Sequence, residues 1–211
     1  MVRTMSEPAA KVHRSKTAMY RTLVLDAAEH LFAEHGYEKT KIQDIAAASG
    51  LSLGTVYSVF GGKAAIIDAV HDTRLQELFA LTGRAMKSDV PAVGRLLQGN
   101  RTFVHWLAAR HDYLRIHLDR AVSWSSTPST ETEELEHAWH RGIELMARVI
   151  SEAMRDGDLW PGDALLIARL MTATQQVFIS AWVEAGMKED PDSLTRRIEV
   201  QLRRSFFRGD A

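Results

Sequence analysis

Apolar residues in the first third of the chain fall three and four positions apart. Leu23, Val24, Ala27, Leu31 and Phe32 form one stripe that stops at Gly36–Tyr37, the spacing of an amphipathic helix. Ile42, Ile45 and Ala46 make a second, shorter stripe, and Val56, Val59 and Phe60 a third. Ile66, Ile67, Ala69 and Val70 open a long fourth. From there the pattern predicts helices near 63–84, 91–109, 112–123, 132–156, 163–186 and 192–207. Pro91, the Ser/Thr/Pro stretch 123–130, Gly157 with Trp160–Pro161–Gly162, and Gly186 before Pro191 mark the breaks between them. No stretch alternates with a period of two and no repeat is evident, so the chain reads as all-α.

The short second and third helices form a unit. Thr40 followed three residues later by Gln43 has the spacing of a capping box. Gly50 stands where the chain needs a left-handed residue to leave a helix, with Leu51 as its apolar contact. Ser52 then caps the next helix, whose Val56 and Val59 point inward. Two helices crossing steeply over so tight a turn make a helix-turn-helix, whose second helix enters a DNA major groove.

The run AAEHLFAEHGYEKTKIQDIAAASGLSLGTVYSVFGGKAAIIDAV resembles the DNA-binding domain of the TetR family of transcriptional regulators, over roughly residues 19–75. Ala64 stands where that family usually has an acidic residue, and Gly62 where it often has a polar cap. The resemblance implies an all-α protein: an N-terminal three-helix DNA-binding domain at 19–63 and a larger helical effector-binding and dimerisation domain at 64–211. It implies a homodimeric regulator, a repressor, that binds a palindromic double-stranded DNA operator and leaves it when a small molecule binds. Rival readings are an activator or partner-controlled regulator of the same fold, or an all-helical ligand-binding protein with a vestigial helix-turn-helix.

On the third helix the inward valines leave Leu53, Gly54, Thr55, Tyr57 and Ser58 facing out. Leu53 and Thr55 are suited to base edges and thymine methyls. Tyr57 is suited to a phosphate hydrogen bond, as in TetR-like proteins. Gly54 fits either a close approach of backbone to DNA or tight packing on the neighbouring helix. The helix starts at Thr40–Lys41 and Ser52 offer free N–H groups to phosphates. Lys41 and Lys63 add cations there, with a backbone contact at Lys63 implied by the resemblance. The helix has no outward Arg, Asn or Gln, so specificity also draws on Gln43 and on DNA shape. Residues 1–18, with Lys11, Arg14 and Lys16, read as a flexible basic arm.

In the larger domain, Phe103, Trp106, Leu107, Tyr113, Ile116, His117, Trp139, Ile143 and Met146, with Phe178, are candidates for an effector pocket. Their aromatic and sulfur-bearing side chains suit an apolar or aromatic molecule. Trp124 is a candidate lid. Residues 163–186 are apolar nearly all round, which requires burial on more than one side. The expected dimer interface therefore takes Leu170, Ile179 and Trp182 from that helix, and Leu194, Ile198, Leu202 and Phe206 from the last.

Charge alone does not point to DNA. The whole chain carries −1, while residues 1–63 carry +2 from eight Lys/Arg and six acids. Two copies of a modest patch suit a sequence-specific dimer. The chain has no cysteine, which excludes disulfides and thiolate metal sites. His105, His111 and His117, six residues apart, do not share a helix face, and His137 and His140 lie in a charged stretch, so no metal is expected. No Ser–His–Asp order, phosphate loop or HExxH motif supports catalysis, and no cofactor is expected. No apolar run approaches the roughly 20 residues of a membrane helix, and no signal-peptide core is present. A cytoplasmic protein without a membrane partner is expected.

Overall fold

The computed structural model describes residues 7–119 and 133–209. Within them lie nine helices and no strand: α1 Glu7–His35, α2 Ile42–Ala48, α3 Leu53–Val59, α4 Lys63–Ala85, α5 Ala92–Ala108, α6 His111–Asp119, α7 Glu133–Arg155, α8 Ala164–Glu184 and α9 Pro191–Phe206. The caps follow the local sequence. Ser52 accepts from the Thr55 N–H, Asp163 from the Leu165 and Leu166 N–H groups, and Asp190 from that of Ser193, satisfying donors that each helix start leaves open. Gly36 and Gly50 leave α1 and α2 at φ +78° and +68°, where a side chain is strained.

The chain divides into two compact units, Met1–Thr73 and Arg74–Ala211. The sequence places this boundary at 63–64; the structure places it ten residues later, inside α4. Ile66, Ile67 and Val70 on the first turns of α4 are fully buried, so these turns complete the N-terminal core rather than begin a new domain. The expected arm also changes. Residues 1–6 lie outside the described residues, but 7–18 are not coil: they are the first three turns of α1.

In the N-terminal unit α1, α2 and α3 pack on one another around Val24, Ala28, Phe32, Ile45 and Val56, all with almost no exposed surface. In the C-terminal unit α5 packs on α6, α7 and α9, and α8 packs on α7 and α9. The Arg95 guanidinium on α5 donates to the Glu152 carboxylate on α7. That hydrogen bond holds Glu152 below the ordinary carboxylate range.

Helix α8 corrects one expectation, because by length and composition it is apolar enough to cross a bilayer. Ala168, Met171, Ile179 and Trp182 explain half of that character, since they are buried within the unit. The other half is an outward stripe: Leu166 is 54% exposed, Leu170 45% and Val177 67%. These positions recur at helical spacing along one face.

Candidate nucleic-acid interface and ligand cavity

The turn between α2 and α3 closes as a helix C-terminus should. Gly50 N–H donates to the Ala47 carbonyl at 3.1 Å and Leu51 N–H to the Ala46 carbonyl at 3.0 Å, the two bonds of a Schellman ending. Helix α3 then presents a fully buried Val56 on one side. Leu53, Gly54, Tyr57 and Ser58 are exposed on the other, with Thr55 half-buried. Tyr57 stands 51% exposed, an unusual place for so large a ring on so short a helix. Ser58 Oγ donates to the Thr55 carbonyl at 2.7 Å, and the Ser52 and Thr55 hydroxyls pair at 2.8 Å. At the far end Arg21 Nη1 donates to the Val59 carbonyl at 3.2 Å, with its guanidinium 4.3 Å from the Phe60 ring centre. A cation is favourable at a helix C-terminus, so Arg21 fixes α3 on α1.

Gly54 is settled by what surrounds it. A Cβ there would meet only Ser52 Oγ, at 4.0 Å. Nothing within the chain requires glycine, so packing on the neighbouring helix is not its reason.

Two residues expected to meet DNA turn inward. Thr40 is 2% exposed, and its hydroxyl faces the carbonyls of Gly36 at 2.8 Å and Leu31 at 3.2 Å. It ties the loop to the end of α1. It does not cap α2 either: Lys41 holds the cap position, and the Asp44 carboxylate accepts its N–H at 3.3 Å. Gln43 is therefore not the partner of a capping box and stands exposed beside Lys41. Lys63 Nζ donates to the carbonyls of Tyr37 at 2.7 Å, Thr40 at 3.1 Å and Glu38 at 3.4 Å, and lies 4.2 Å from the Tyr37 ring centre. An ammonium has three protons; all three are directed at this loop. Lys63 is thus a clamp between the start of α4 and the loop after α1. The outward set that remains is Lys41, Gln43, Leu53, Gly54, Thr55, Tyr57 and Ser58, with Ser52 as the cap.

The C-terminal unit holds a cavity of about 530 Å³, within the range of small-molecule sites. Of the expected pocket residues, Phe103, Trp139, Ile143 and Met146 line it. Trp106, Leu107, Tyr113, Ile116 and His117 do not; they are buried in the core, where the Trp106 and Tyr113 rings meet edge to face at 5.6 Å. Phe178 lies elsewhere, under the Arg197 guanidinium at 5.4 Å. Trp124 lies outside the described residues. The walls that sequence reasoning missed come from α4, the turn after it and α8: Phe79, Gly83, Met86, Thr172 and Gln175. Gln175 Nε2 donates to Asn100 Oδ1 at 2.9 Å in a buried pair joining α8 to α5.

The expected dimer set divides in the same way. Ile179, Trp182, Leu194, Ile198 and Leu202 have at most 3% exposure within the chain itself, so they have no surface left to give a partner. Leu170 is open and Phe206 half-buried. The large apolar side chains that these two helices expose are Leu165, Leu166, Leu170 and Val177 on α8 and Val200 on α9.

Comparison with known proteins agrees with this architecture. Residues 24–70 match the family model described as "Bacterial regulatory proteins, tetR family". The HTH-type transcriptional repressor KstR2 of Rhodococcus jostii (strain RHA1) is 26% identical over 195 residues, spanning 92% of this chain and 93% of that protein. The structure of ketosteroid transcriptional regulator KstR2 of Mycobacterium tuberculosis superposes with a TM-score of 0.72 at 22% identity, covering 90% of this chain and 95% of the other. The fatty acid degradation regulator FadR from Bacillus halodurans gives 0.69 at 20% identity, covering 86% and 96%.

Proposed function

We propose that the chain is a DNA-binding transcriptional regulator of the TetR family, a dimeric repressor whose grip on an operator is released by a small molecule. The observation that carries the DNA half is α3: a helix buried through Val56 that leaves Tyr57 and a sterically unneeded Gly54 open to solvent. A major groove supplies what such a face lacks, with phosphates for the Tyr57 hydroxyl and base edges for Leu53, Thr55 and Ser58. Lys41 and Gln43 flank it from α2. The mode of action is the one named for the repressor relatives, and the site of action is the cytoplasm, where the DNA lies.

Dimerisation rests on the outward stripe of α8. Contiguous exposed apolar surface marks an interaction site, and Leu166, Leu170, Val177 and Val200 form a surface that two copies bury against each other across a two-fold axis. A two-fold dimer presents two recognition helices to half-sites one helical turn apart.

Release follows from the cavity and α4. Phe79 and Gly83 of α4 and Met86 just after it line the cavity, and the same helix begins at Lys63, which holds the loop behind α2. An occupant that prefers one disposition of α4 shifts the population of the DNA-competent state; equal affinity for both states shifts nothing.

The dimer is tested with Leu170→Glu/Val177→Glu. Neither side chain is needed in the core, so the variant keeps its helical content. The expected outcome in sedimentation is a monomer, with operator affinity reduced about a hundredfold or more as the second half-site is lost. A variant that still sediments as a dimer refutes the assignment of this face.

A further inference from the structure

We propose that the molecule held by the α4–α5–α7–α8 cavity is an amphipathic anion, with an apolar body inside and a carboxylate or phosphate head at the rim. This rests on the reading of the cavity as the ligand site and specifies its chemistry. The interior is apolar: Phe79, Met86, Phe103, Trp139, Leu145 and Met146 supply most of it. The charged lining is of one sign. Lys87, Arg141 and Arg148 line the cavity and no Asp or Glu does. None of the three has an acidic partner among the described residues, whereas Arg95 and Arg110 nearby are paired with Glu152 and Glu77. Glu144, between the two arginines on α7, is exposed and is not part of the lining.

The three cations line one cavity whose α4 and α7 walls meet at glycines. A Cβ on Gly83 would meet Leu145 at 3.9 Å, and one on Gly142 would meet Phe79 at 3.8 Å. Helices α4 and α7 therefore meet at these two glycines, and Lys87 follows in the turn just beyond the end of α4. Arg141 lies seven residues before Arg148, on the same side of α7. A second observation points the same way. Arg169 on α8 lies over the ring of Trp139, a wall residue, at 5.6 Å, and its Nε is buried with no hydrogen-bond acceptor. Lys87, Arg141 and Arg148 are exposed, so they form a positively charged rim around the apolar interior. A neutral apolar ligand would make no use of that rim. An anionic head placed at it would pair with these cations, with planar arginine forks suited to either oxyanion.

The test is calorimetric titration of the full chain with four probes, each below its micelle concentration: dodecanoate, dodecyl phosphate, dodecanol and dodecyltrimethylammonium. At least one anion is expected to bind about tenfold or more tightly than dodecanol, as a charged hydrogen bond implies, with the cationic probe weakest. Whichever anion is tighter identifies the head. In Lys87→Gln/Arg141→Gln/Arg148→Gln the anion's advantage should disappear while dodecanol binding is unchanged. Dodecanol equal to both anions, a cationic probe as tight as either, or an advantage that survives the triple variant overturns the proposal and leaves the cavity reading intact. Gly142→Leu, which sends a side chain into the cavity, separates the two claims: it should weaken every probe. Unchanged binding in that variant, or no binding of any probe to the parent chain, removes the cavity reading and this proposal with it.

Discussion

Replacing Gly54 with alanine should strengthen the fold and weaken the function. A glycine within a helix costs roughly 0.5–1 kcal/mol relative to alanine. Gly54 is the second residue of α3, where the backbone is less completely fixed, so the gain should be near the lower figure, about 0.5 kcal/mol. No clash offsets it, because the new Cβ meets only Ser52 Oγ at 4.0 Å. For a chain of this size that corresponds to a rise in Tm of about 1–2 °C. The Cβ projects from the exposed face of α3, however, beside Leu53 and Tyr57. If the backbone lies against DNA there, one methyl group prevents the approach, and affinity should fall about tenfold or more, the cost of displacing a well-matched contact. Thermal unfolding followed by circular dichroism and operator binding followed by fluorescence anisotropy give the two numbers from one preparation. A variant that gains stability and binds DNA as tightly as the parent refutes the close approach. One that loses stability refutes the claim that the chain has room for the Cβ.

Two further outcomes follow from the side chains that fix these surfaces. Lys63→Met removes a cation from three carbonyls of the 37–40 loop and should destabilise the N-terminal unit by about 1–3 kcal/mol, read by hydrogen exchange in α1, α2 and the start of α4; weakened DNA binding with unchanged protection would return Lys63 to the phosphate backbone. The Arg95 hydrogen bond lowers the Glu152 pKa from its ordinary value near 4.5, so this pair stabilises the folded state above that value and the contribution is lost as pH falls through the lowered folded-state value. Denaturant titrations at pH 6 and at progressively lower pH should show Glu152→Gln less stable than the parent at pH 6, with the difference vanishing on acidification; a difference that grows in acid contradicts the pairing.

The fold was legible because its signal is periodic. Spacings of three and four, with Gly50, Pro91, Gly157 and Pro191 as punctuation, placed α2 to α5 and α7 to α9 within a residue or two of their observed ends. The helix-turn-helix was legible for the same reason, with a turn glycine and a serine cap at fixed offsets. The side chains that misled have two plausible partners each. Thr40 and Lys41 are adjacent at a helix start, and only the positions of the Gly36 and Leu31 carbonyls decide that the threonine turns back. Lys63 looks like any first-turn cation until the loop carbonyls beneath it are seen. On α8 both faces are apolar, so composition alone does not reveal which stripe is buried within its own chain. The cavity was half hidden because Gly83, Gly99 and Gly142 shape it by what they lack. A Cβ on Gly99 would lie 2.2 Å from Met86 Cε, a constraint that no hydrophobic pattern records.

The most direct measurement is selection of bound sequences from a random duplex pool by the purified chain at low salt. The account predicts enrichment of one inverted repeat whose half-sites lie about one helical turn apart, and its loss when Tyr57→Ala and Gly54→Ala are combined. Failure to enrich any sequence, or enrichment of a motif without two-fold symmetry, would contradict a dimer that reads DNA through α3.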